Sequence, residues 1–137
     1  MTDTNDWNRG VIDEFRANDG VVGGMFDGMN LLLLHHTGAK SGTERINPLV
    51  YLRDGDKYVI FASKAGAPTS PDWYHNVRAN PNTTIEVGIQ SIPVTARVAE
   101  GDERERLWSA QKEVAPQFAE YESKTDRVIP VVVLEPD

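Results

Sequence analysis

Three histidines, a lysine inside a glycine-bearing turn and two serines are the residues of this 137-residue chain whose types invite chemistry. His35 and His36 are adjacent, and neighbours on a strand point to opposite faces, so the pair is badly placed to share one metal ion. His75 stands at no recognisable ligand spacing from either. The expectation is no metal site, and one histidine turned toward a core or a cofactor. Gly38-Ala39-Lys40-Ser41 has the outline of a phosphate-binding P-loop, but aligning Lys40 with that motif's lysine puts Ala39 and Leu34 where glycines belong. A strand then follows where a phosphate needs a helix N-terminus. Such a turn can still offer an anion its ammonium and free backbone N–H groups, or it is an ordinary turn with a solvated lysine. Ser41 and Ser63 have no Gly-x-Ser-x-Gly elbow around them, which leaves serine hydrolysis the weaker reading. With no cysteine, thiolate metal sites, iron–sulfur clusters, disulfides and cysteine nucleophiles are excluded.

These residues need a frame. Trp7, Val11 and Phe15 recur every four positions, so residues 6–17 read as an amphipathic helix. Residues 18–30 hold four glycines and read as a flexible loop. Leu31–His36 is a strand, 37–43 a turn, and 44–53 a strand interrupted by Asn47-Pro48 at a bulge or an edge. Asp54-Gly55-Asp56 turns into the strand Tyr58–Ser63. Ser70 as N-cap and Pro71 at the first position open a helix to Ala79, ended by Asn80-Pro81. Thr83–Ile89 and Ile92–Ala99 form a second hairpin. A helix over 102–123 carries the apolar stripe Leu107, Ala110, Val114, Phe118 and Tyr121, kinked or split by Pro116. Val128–Leu134 is the final strand.

Tight turns pair strands antiparallel, so the expected class is mainly β (α+β): a six-stranded antiparallel barrel with peripheral helices. The length suits one domain over residues 1–137, with 1–29 as an N-terminal helix and flexible segment. The longest apolar run is Leu31–Leu34, far short of a membrane span. No secretory signal is visible, and a cytoplasmic protein is the expectation. The net charge is −7, yet residues 30–80 hold six bases against four acids. The overall balance disfavours nucleic acid; the basic middle would suit a small anion, but from charge alone the better reading is that it merely lacks acidic helices.

Residues 37–81 carry an ordered set of motifs: Thr37-Gly38-Ala39-Lys40-Ser41-Gly42, Arg45-Ile46-Asn47-Pro48-Leu49, Ala62-Ser63-Lys64-Ala65-Gly66, Pro71-Asp72-Trp73-Tyr74-His75-Asn76 and Ala79-Asn80-Pro81. Together with Tyr121, Thr125-Asp126-Arg127 and Ile129-Pro130-Val131-Val132, they resemble the actinobacterial deazaflavin-dependent nitroreductase family. The resemblance covers nearly the whole chain beyond residue 20. It implies a split β-barrel like that of FMN-binding oxidoreductases, and coenzyme F-420, an 8-hydroxy-5-deazaflavin with an oligoglutamate tail. By position, Lys40, Arg45 and Lys64 resemble contacts for the anionic tail and phosphate. Ala62, Ser63, Ala65 and Gly66 match the segment along the ring, Asn47 and Pro48 the wall beneath it, and Trp73 and Asn76 the helix closing the pocket. The family often has a second basic residue before the lysine, where this chain has Ala39.

The implied activity is hydride transfer from reduced F-420 to a small acceptor such as a quinone, a nitroaromatic or an activated alkene. Tyr121 matches a position lining the substrate side, where a phenol can bind an acceptor oxygen or supply a proton; equally, it continues the apolar stripe. Phe118 reads as pocket wall. The competing readings are a non-catalytic F-420 carrier and an FMN-dependent reductase of the same fold. The expected partner is a small molecule, with no nucleic acid, no stable membrane insertion, and a monomer or weak homodimer.

Overall fold

Alternation along Leu31–Thr37 decides the architecture. The computed structural model describes residues 3–23, 30–63, 71–125 and 128–137, with backbone alone over 3–8. In chain order the elements are α1 (Asp3–Ala17), β1 (Leu31–Thr37), β2 (Glu44–Val50), β3 (Leu52–Asp54), β4 (Lys57–Phe61), α2 (Asp72–Ala79), β5 (Asn82–Val87), β6 (Gln90–Val98), α3 (Gly101–Val114), α4 (Gln117–Ser123) and β7 (Val131–Pro136). The strands form one antiparallel sheet in the order β2-β1-β5-β6-β7-β4-β3.

Among the described residues seven strands stand where six were expected. The segment expected as one strand over 44–53 divides at Tyr51, because its two halves pair with different neighbours. Glu44–Val50 lies along β1, whereas Leu52–Asp54 turns to pair with β4. The two outermost strands are therefore consecutive in the chain, and the sheet curls into a half-barrel. Pro48 sits on the outermost β2 in regular register opposite Leu33, an edge position without a bulge.

Opposite faces of the curled sheet bury separate apolar sets. Leu32 and Leu34 of β1 face the interior with Ile60, Ile85, Val94, Val132 and Leu134, and α2 plugs that interior with Trp73 and Val77. Leu31 and Leu33 face outward against Val11 and Phe15 of α1. Val59, Phe61, Val131 and Val133 face outward against Leu107 and Trp108 of α3 and Phe118 of α4. The α1 C-terminal turn fits closely on the β5–β6 hairpin: a Cβ on Gly20, whose φ is +95°, would lie 2.7 Å from the Gly88 Cα.

Four local expectations shift. Pro71 precedes α2 rather than opening it, and Ser70 lies outside the described residues. Pro116 does split the late helix, but Val114 is 69% exposed, because α3 turns Arg104, Leu107, Trp108 and Gln111 inward. The strand expected from Val128 begins at Val131, and β4 ends at Phe61, short of Ser63. Among the described residues no helix is long and apolar enough to cross a membrane.

Candidate functional site

The inner face of β1 begins apolar, with Leu32 and Leu34, and ends on an imidazole. His36 is 2% exposed, and its burial must be compensated by hydrogen bonds. Register puts Arg45 opposite His36 and Asn47 opposite Leu34, so all four share that face. The Asn47 Oδ1 lies 2.6 Å from His36 Nε2 across the diagonal. On the other side of the ring, Asn76 of α2 places its Nδ2 2.9 Å from His36 Nδ1. The opposite end of the same amide, Oδ1, accepts the Ala39 backbone N–H at 2.9 Å.

That last contact fixes every proton in the chain. A backbone N–H only donates, so the Asn76 oxygen must face Ala39 and its NH2 must face His36. His36 Nδ1 is then the acceptor, and Nε2 carries the hydrogen donated to Asn47. The ring is neutral. Burial pushes its pKa below the ordinary value, against the Asn47 hydrogen bond, and the nearby Arg45 charge adds to the depression.

The turn beyond β1 is tied on several sides. Gly38 N–H donates to the Thr43 carbonyl and Gly42 N–H to the Gly38 carbonyl, both at 2.9 Å, while Thr43 N–H reaches the Ser41 hydroxyl. Gly42 holds φ at +73°, a conformation that suits glycine. With Ala39 bound to Asn76, four of the turn's backbone donors are already engaged, so an anion here would depend chiefly on the Lys40 ammonium. Lys40 and Arg45 are exposed, and neither enters an ion pair with another described residue. Arg16, Arg97, Arg104, Arg106, Lys57 and Lys112 each have a carboxylate partner, whereas Arg9, Arg53, Arg78 and Lys124, like Lys40 and Arg45, have none among the described residues. Two unneutralised cations beside one braced turn fit a polyanionic tail.

The remaining expected site residues are distributed unevenly. Asn47 and Asn76 join the His36 chain, and Trp73 lies one helical turn from Asn76, 4% exposed in the interior core. Pro48 faces the other way, on the side of β1 and β2 that packs against α1. Ala62 and Ser63 leave β4 buried, the Ala62 N–H donating to the Pro130 carbonyl at 3.0 Å. Lys64, Ala65 and Gly66 lie outside the described residues. Phe118 and Tyr121 meet at 5.1 Å between ring centroids, in the aromatic cluster outside the sheet rather than with the His36 chain.

The histidine pair does divide between faces. His35 turns outward, its Nε2 2.7 Å from Glu86 and its Nδ1 3.2 Å from Glu44, while Arg16 of α1 also grips Glu86. Among the described residues no cluster of His, Asp and Glu could hold a metal ion. A cavity of about 270 Å3 between Val77–Arg78 of α2 and Ala96–Val98 of β6 includes none of the expected site residues. Sequence reasoning left undecided which histidine faces inward; the alternation continuing from Leu32 and Leu34 selects His36.

Comparison with known proteins bears on this site. A family model described as F-420H(2)-dependent quinone reductase matches residues 7–136. The F-420H(2)-dependent quinone reductase Rv1261c of Mycobacterium tuberculosis is 45% identical over 124 residues, covering 88% of this chain and 83% of that protein. A solved F-420-H2 dependent reductase (FDR-A) is 46% identical, with a TM-score of 0.71 over 77% of this chain and 94% of its own. A second solved structure, described as a domain-swapped dimer, is 42% identical, with a TM-score of 0.73 over 97% of this chain and 100% of its own. Sequence and fold converge on one assignment: the chain belongs to the F-420H(2)-dependent quinone reductase family and takes coenzyme F-420 as its cofactor.

Proposed function

We propose that this protein reduces a quinone by hydride transfer, and that nitroaromatics and activated alkenes are further acceptors. The observation that carries the reading is the placement of two cations, Lys40 and Arg45, without carboxylate partners among the described residues, beside a turn that Asn76 braces. They hold the phosphate and oligoglutamate tail, with Lys64 as a third contact. The backbone of Ala62, Ser63, Ala65 and Gly66 runs along the deazaflavin ring. Asn47 and Asn76 position its surroundings through His36, and Trp73 fixes the helix behind it. Pro48 contributes indirectly, from its place opposite Leu33 on the α1 side of the edge strand. When bound, the reduced cofactor supplies a hydride from carbon 5.

The chain's own task is to orient the acceptor, exclude water and stabilise the charge that develops on the acceptor oxygen. Tyr121 hydrogen-bonds that oxygen or gives it a proton, with Phe118 as the adjoining wall. We read the curled sheet as a split barrel of the FMN-binding kind, six-stranded when Glu44–Asp54 is counted as one bent strand. We read residues 1–137 as one domain, cytoplasmic, and a monomer or weak homodimer.

Titration with oxidised F-420, FMN and FAD, followed by turnover of reduced F-420 with a soluble quinone, tests the reading. Tight F-420 binding with quinone-dependent oxidation is expected. Binding without turnover would identify a carrier, and tight FMN binding without F-420 binding would refute the proposed chemistry. Tyr121→Phe is expected to slow turnover without loosening F-420; unchanged rates would reduce Tyr121 to packing.

A further inference from the structure

We propose that His36 is a positioning residue for the cofactor's anionic tail: as a neutral imidazole it completes, through Asn76, the hydrogen-bond chain that holds the Lys40 turn, and protonation breaks that chain. The inference rests on the reading above that this turn meets the tail. Its geometric basis does not.

The donors and acceptors leave no alternative arrangement for a protonated ring. His36⁺ would present an N–H at Nδ1, where the Asn76 NH2 already points from 2.9 Å. Rotating the amide would turn its oxygen to the imidazolium and aim the NH2 at the Ala39 N–H instead. Either way two donors face each other at a buried site; the rotation, which gives the imidazolium an acceptor, is the arrangement that loses the Ala39 contact between α2 and the β1–β2 turn. Ala39 directly precedes Lys40, so the lost contact is the one that braces the lysine's backbone. The charges facing the ring are Arg45 from β2, Asp72 from α2 and His35 on β1 itself, with Lys40 in the braced turn; Arg45 and His35 oppose protonation and Asp72 favours it. Cofactor retention thereby becomes sensitive to acidification through a residue that does not touch the tail.

Two measurements on the whole protein test this. In the ligand-free protein, nuclear magnetic resonance follows the His36 ring nitrogens and the Ala39 amide from about pH 8 to about pH 5. The Ala39 amide is expected to shift, and to lose exchange protection, with the His36 midpoint. Independent behaviour of the two would overturn the proposal. In the second measurement, F-420 with its tail and the tail-less deazaflavin are titrated over the same range, the latter correcting for ionisation of the ring. The tailed form should weaken about tenfold more than the tail-less form on acidification.

His36→Gln, which can accept from Asn76 and donate to Asn47 without titrating, should abolish that difference. Asn76→Asp should reverse it, because a carboxylate accepts from both the Ala39 N–H and His36⁺. Melting curves show that each variant is folded. If Ala39 tracks His36 while tail selectivity stays flat, the proposed role is overturned. Lys40→Ala measured beside it then distinguishes the failures: a tail-specific loss there leaves the tail site standing, and no loss removes it.

Discussion

His35 and His36 are consecutive residues of one strand, with opposite surroundings. His36 lies among amides, between Asn47 and Asn76, in a pocket that keeps it neutral. His35 lies among charges, between Glu44 and Glu86, with Arg16 completing the group. The inner set ties β1, β2, α2 and the Lys40 turn together. The outer set fastens α1 to the sheet. A buried neutral network is sensitive to every donor and acceptor in it, whereas an ionic group with a half-exposed member, here Arg16, loses less because water replaces part of what is removed.

The largest expected difference comes from deleting an amide. Asn76→Ala leaves the His36 Nδ1 and the Ala39 N–H without partners and should cost about 2–4 kcal/mol in urea unfolding. A loss below about 1 kcal/mol would mean that water enters the site and that the two regions differ less than their burial suggests. Lys40→Ala separates holding the fold from holding a ligand. It should weaken F-420 binding roughly tenfold at low salt, with the deficit shrinking as salt rises and the melting temperature unchanged. A salt-independent loss would place Lys40 elsewhere than at the tail.

Acidification comes next. The folded protein resists protonating His36 below the ordinary imidazole value of 6.5, while the unfolded chain does not, so the unfolded state binds more protons in that window. Stability should therefore fall as pH drops through 6.5, and His36→Gln should remove that fall. Glu86, whose pKa Arg16 and His35 depress, contributes stability that is present above the ordinary carboxylate value and lost only as pH falls below it. The two histidine regions should thus yield in separate pH ranges. Smallest is Glu86→Gln itself, at about 0.5–1 kcal/mol, since Arg16 is half exposed. F-420 affinity should not change; if it did, α1 would belong to the site.

The short apolar run Leu31–Leu34 made β1 legible, as the tight turns did the antiparallel pairing. The ordered motifs from Gly38 to Asn76 carried the family. The bend at Tyr51 left no mark on the apolar pattern, because strand identity there is set by which neighbour each half meets. The His36 chain was equally hidden: Asn47 reaches it by register and Asn76 by the crossing of α2 over the sheet, and neither leaves a periodic signal. On α3, a stripe drawn through Val114 assumed one helical phase across Pro116. The proline ends α3, and Trp108 and Gln111 occupy the buried face instead.

The last strand in chain order, β7, occupies an inner place in the sheet between β6 and β4, and its Val131–Leu134 are all fully buried. On the ribosome, β4 and β6 are therefore both synthesised well before the strand that joins them, and each waits with an open hydrogen-bonding edge. The seam closes by insertion rather than by adding a strand to the outside. Until then either edge can accept the same segment from a neighbouring nascent chain, so crowded synthesis is the condition under which this fold is most exposed to misassembly.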